Sequence, residues 1–150
     1  MSDLISPRGV MAAVLAAVAA TATDGAYVVL INSQQATGPH PGIVPFITLY
    51  IAAIAMAAVV AVALMLRGKP SAAWPLLVSA TTASAALGFL AIFSIGLALL
   101  ITAGLLAAAA LRLEQTLPTP RSWLPALVGS FSAIVVLVAG GVISGVFWGT

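Results

Sequence analysis

From Ser71 to Leu111 the chain carries no charged side chain at all. As one helix these roughly 40 residues, at about 1.5 Å each, would reach about 60 Å, twice the hydrocarbon thickness of a bilayer. The stretch must therefore fold back on itself, and the length argument predicts two membrane spans there. The break is placed near Phe93-Ser94-Ile95-Gly96, or slightly earlier at Gly88.

The rest of the sequence divides in the same way. An apolar run from about Gly9 to Ile31 ends at Asn32-Ser33-Gln34-Gln35 and at Gly38-Pro39-His40-Pro41-Gly42. Proline there denies a backbone donor and biases its neighbour out of helix. A second run covers Ile43 to Leu66, with Pro45 in its first turn, where a missing N–H matters little. Arg67-Gly68-Lys69-Pro70 forms a short polar turn, and Arg112 to Arg121 the longest charged connection. The predicted spans are about 9–31, 43–66, 71–92, 95–113 and 123–148. They make a single transmembrane domain over 1–150, an all-α bundle of five helices.

Composition agrees and excludes alternatives. Only 5% of the 150 residues are charged and 63% are hydrophobic, where a soluble domain uses about 25% charged residues to cover its surface. Five scattered basic residues are too few for a nucleic-acid footprint. The absence of cysteine removes disulfides, thiolate metal sites and thiol redox chemistry. No phosphate-cradling glycine loop, nucleophile elbow, paired carboxylates or metal-spaced histidines occur, so neither a metal nor another cofactor is expected.

The basic residues set the orientation. With the N-terminus inside, Arg8, Arg67, Lys69, Arg112 and Arg121 all fall on the cytoplasmic side, as the positive-inside bias asks. Trp74 and Trp123 then lie near the inner interface, and Tyr27, Phe46, Tyr50 and Trp148 near the outer one. The reading is N-inside and C-outside, in a multi-pass cell membrane protein of bacterial type. Arg8 ahead of an apolar run ending in Ala20-Thr21-Ala22 also fits a cleaved secretory signal, but Asp3 beside the basic residue is atypical of one.

The two inner turns echo each other. Leu66-Arg67 leads to Trp74-Pro75-Leu76-Leu77-Val78-Ser79, and Leu111-Arg112 leads to Trp123, Pro125-Ala126-Leu127-Val128 and Ser130. Two readings stand: one helix plus two hairpins duplicated as a parallel repeat, or independent use of the same interface residues.

Chemistry-bearing residues are few. Asp24 is the one acid at membrane depth, about 22 Å along the first span, where a carboxylate costs about 1–3 kcal/mol and faces a cavity or partner. Thr21 and Tyr27 stand at i−3 and i+3, so a polar stripe able to hold a proton, a cation or a ligand's donor groups is expected. Thr81 and Thr82, with Ser79 and Ser84, form a hydroxyl cluster in the third span that packs or lines a path. His40, alone in the outer loop, lacks the partners a zinc site needs. The last span carries Gly141-x-x-x-Gly145-x-x-x-Gly149, extended upward by Gly129 and Ala133 at four-residue spacing, a face that lets helix backbones approach.

Three functions follow in order of preference. The first is a non-enzymatic protein acting by binding, an accessory or assembly subunit or a homo-oligomer, whose partners are the lipid bilayer and another membrane protein or a second copy. The second is a small proton-coupled transporter or channel using Asp24. The third is an enzyme at the outer face using Asp24 and His40.

Overall fold

The computed structural model describes residues 7–34, 43–90, 96–115, 117 and 123–148. Five helices account for nearly all of them: α1 (Pro7–Gln34), α2 (Ile43–Leu66), α3 (Pro70–Leu90), α4 (Gly96–Gln115) and α5 (Leu124–Trp148). No strand occurs among the described residues. Each helix is long and apolar enough to cross a membrane. The uncharged stretch is divided between α3 and α4, and the residues between them lie outside the described ones.

The α2–α3 turn shows how sequence closes a helix. Gly68 takes φ +70°, the left-handed conformation that costs a glycine little. Its N–H donates to the Met65 carbonyl, and the Lys69 N–H donates to the Leu64 carbonyl, 2.9 Å away. This is the double closure of a Schellman motif, which satisfies carbonyls that the helix end would otherwise leave unpaired in lipid. Lys69 then caps α3, its carbonyl accepting from Ala72 and Ala73, and Pro70 occupies the first helical position. Trp123 does the same for α5, accepting from the Leu127 N–H at 2.9 Å.

Helices α1 to α4 form a closed ring in which each packs on the next and α4 returns to α1, while α5 lies outside it against α3 and, less extensively, α2. Neighbours in the ring alternate in direction. Val14 and Leu66 border one groove between α1 and α2, Met11 and Arg112 another between α1 and α4, and Gly88 approaches Leu100 across α3 and α4. α5 runs parallel to α3: Trp74 meets Trp123 edge-on with ring centroids 4.8 Å apart, and Thr82 bonds to Ser130. Hence Arg67, Lys69 and Arg112 lie at one end of the bundle, with the first turn of α1.

Inside is an alanine-rich core. Ala13, Ala16, Ala17 and Ala20 of α1, Ala58 and Ala61 of α2, Ala73 and Ala80 of α3, and Ala109 and Ala110 of α4 are buried, filled out by Ile51, Met65, Trp74, Leu77, Leu99, Leu106 and Leu113. Large apolar side chains such as Leu15, Val29, Met56, Phe89 and Leu97 point outward. Small residues inside and large ones outside is the packing that lipid selects, because burying hydrocarbon gains nothing there and close backbone approach does.

Tyr27 and Tyr50, placed by their sequence positions near the outer ends of α1 and α2, are only 7% exposed and turn into the bundle. Tyr50 stacks beside Phe46 at 6.1 Å and donates its hydroxyl to the Ala133 carbonyl of α5 at 2.8 Å. Narrow alanine surfaces leave room for a ring, and the backbone carbonyl satisfies its polar tip.

Candidate functional site

Asp24 belongs to the inward line of α1. Ala13, Ala17, Ala20, Asp24 and Tyr27 follow at alternating spacings of four and three, so the acid continues the buried stripe. The residue is half-buried, but its Oδ1 is sealed from the surface and has no hydrogen-bond partner. A buried carboxylate oxygen without a donor is a costly polar arrangement.

Its neighbours differ from those the spacing suggested. Thr21 is exposed; its hydroxyl donates back to the Ala17 carbonyl at 2.9 Å, and it borders an apolar groove of about 640 Å³ between α1 and α2. Tyr27 turns into the core. Residues at i−3 and i+3 lie about 120° apart around a helix of 3.6 residues per turn, so each flanks Asp24 without both sharing its surroundings.

The polar groups the structure does bring to this level are Thr23, Thr102 and Ser84. Thr23 Oγ1 and Thr102 Oγ1 meet across α1 and α4 at 3.3 Å. Thr102 is 2% exposed and Ser84 fully buried, and the Ser84 hydroxyl has no partner. With Gly88 beside Leu100 and Thr81 bordering the same groove as Ala107, the antiparallel register of α3 and α4 sets Ser84 within about one turn of Thr102 along the axis. Thr23 and Thr102 carried no sequence signal of their own, since a lone threonine in an apolar helix usually bonds to its own backbone.

Thr81 and Thr82 stand elsewhere. Thr81 donates to the Leu77 carbonyl and borders a groove with Ala107 and Ala110 of α4. Thr82 bonds to Ser130 at 3.0 Å and so ties α3 to α5, across the bundle from α1. Both hydroxyls are engaged in helix packing, and neither bonds to Asp24.

The glycine stripe of α5 divides. Gly129 presses against Ser79 of α3, and Ala133 offers its carbonyl to Tyr50, so this part faces the ring. Gly140, one residue before the expected position, takes the Phe46 ring of α2. Gly141 is exposed and meets nothing within 4 Å. Gly145 follows one turn later in the helix, while Gly149 and His40 lie outside the described residues. No cluster of histidine and acidic residues that could hold a transition metal occurs among the described residues.

By length and composition of its helices, the chain is of the multi-pass α-helical membrane class. Comparison with protein-family models, with curated proteins and with solved structures finds no match.

Proposed function

We propose that the protein works by binding within the membrane, as an accessory or assembly subunit or as a homo-oligomer, through the outer face of α5. The observation that carries this reading is Gly141. A glycine in a helix loses about 0.5–1 kcal/mol relative to alanine, and Gly129 and Gly140 return that loss through contacts with Ser79 and Phe46. Gly141 has no such contact, and among the described glycines with open surroundings it alone begins a four-residue glycine pair, with Gly145. A second helix backbone laid along that pair supplies the missing contact. Burial agrees: 11% of the α5 span is covered, against 33–44% for the other four.

In this reading the N-terminus and the Arg67, Lys69 and Arg112 end face the cytoplasm, and the C-terminus faces outward. The paired Trp74 and Trp123 hairpins are compatible with duplication, although one tryptophan is buried and the other half-exposed.

The test is extraction in mild detergent followed by mass measurement of the native particle. Wild type is expected to leave the membrane with a partner or as an oligomer, and Gly141→Leu with Gly145→Leu to release a folded monomer. A wild-type monomer indifferent to both substitutions contradicts the proposal.

A second reading, a small proton-coupled transporter or channel, is favoured by the sealed Oδ1 of Asp24. It requires pH-dependent flux in proteoliposomes that Asp24→Asn abolishes; undiminished flux in that variant removes it.

A further inference from the structure

Two of the hydroxyls at the level of Asp24 spend their hydrogens on their own helices. Thr23 donates its single hydroxyl hydrogen to the Ala19 carbonyl at 2.8 Å, and Thr102 donates its own to the Ala98 carbonyl at 2.9 Å. Each hydroxyl has one hydrogen and two lone pairs. With one hydrogen on each hydroxyl, the 3.3 Å approach of the two oxygens is at most a hydrogen shared between a helix carbonyl and the facing hydroxyl, and it leaves lone pairs on both oxygens free. Oδ1 of Asp24 and Oγ of Ser84, both buried and unpartnered, add two more oxygens from α1 and α3.

Among the described residues no positive group reaches this level to balance the carboxylate. On α4, Arg112 and Glu114 lie at the far end, Arg112 bordering a groove with Met11 and Ala12. The described span of α2 offers only Tyr50, whose hydroxyl is given to Ala133, and α3 carries no titratable side chain. Tyr27 lies one turn further along α1, and Arg67 and Lys69 belong to the opposite turn.

Buried oxygens short of hydrogens around one negative charge are what a small cation uses. Two ligand oxygens 3.3 Å apart subtend about 90° at a hard cation bonded at about 2.4 Å, an octahedral angle. Ligands on opposite sides of such an ion stand about 4.8 Å apart, beyond hydrogen-bond reach. One carboxylate is neutralised by one positive charge, and a divalent ion would leave an excess charge in a low-dielectric site.

We propose that Asp24, with the hydroxyl oxygens of Thr23, Thr102 and Ser84, binds a monovalent cation of the size of Na⁺ inside the four-helix ring, in competition with a proton. The site ties α1, α3 and α4 together and requires neither association through α5 nor transport.

The test is thermal unfolding of the full chain in detergent or nanodiscs, followed by tryptophan fluorescence, with NaCl titrated against choline chloride or KCl at constant ionic strength. At pH 8 the melting temperature is expected to rise with the logarithm of Na⁺ concentration and to respond little to K⁺. The Na⁺ concentration giving half the rise should increase as pH falls. Asp24→Asn should abolish the response, Thr102→Val should weaken Na⁺ affinity about tenfold, the loss of about one good ligand, and Thr102→Ser should restore it. If Asp24→Asn does not fold, the Thr102 pair and the pH competition decide. The proposal is overturned by equal responses to Na⁺, K⁺ and choline, by a Na⁺ response surviving in Asp24→Asn or unaltered in Thr102→Val, or by stability that follows pH alone, which would mean Asp24 holds only a proton.

Discussion

Gly140 and Gly141 are adjacent in sequence and opposite in role. At about 100° per residue, twelve residues beyond Gly129 bring Gly141 about 120° away from the face where Gly129 meets Ser79, whereas eleven bring Gly140 back within about 20°. A ladder of four-residue steps drifts around a straight helix, and this is why the sequence made one stripe where there are two faces. The same geometry separates Thr21 from Tyr27. Gly129→Ala is expected to destabilise the bundle by about 1–3 kcal/mol, because its methyl group would meet Ser79. Gly141→Ala should raise helix stability by up to about 1 kcal/mol while weakening association. Reversible unfolding beside a mass measurement checks both; equal effects at the two positions would contradict the assignment of faces.

At the scale of the helices, turn chemistry was legible and packing partners were not. The polar break at Arg67-Gly68-Lys69-Pro70 announces its turn, and Gly68→Ala is expected to cost about 1–2 kcal/mol, since φ +70° strains any residue with a Cβ. Which helix lies beside which was hidden, because a span that faces lipid on one side and protein on the other is apolar all round. The residue that could have told was alanine, whose clusters mark the inward faces of α1 to α4. The α2–α5 contact joins the Phe46 ring against Gly140 to a polar bond from the Tyr50 hydroxyl to the Ala133 carbonyl. Tyr50→Phe should lower stability by about 0.5–1.5 kcal/mol in the same unfolding measurement, and an unchanged midpoint would show that this bond does not help to seat α5.

For the molecule as a whole, the five helices follow from length and charge alone, whereas the division into a closed ring and an outlying helix required the structure. The ring takes Oδ1 of Asp24 out of reach of the surface, while α5 leaves most of its span uncovered. If association runs through α5 as proposed, stability and association reside on different surfaces, and substitutions should be able to change one without the other. The natural absence of cysteine makes the most direct measurement simple. Single cysteines replacing Val138, exposed and three residues from Gly141, or Leu137, which is buried, can be treated in native membranes with a bifunctional thiol reagent or an oxidant. Association through the outer face of α5 predicts that Val138→Cys is captured on a neighbouring chain and Leu137→Cys is not; capture of neither, or of Leu137→Cys alone, would contradict it.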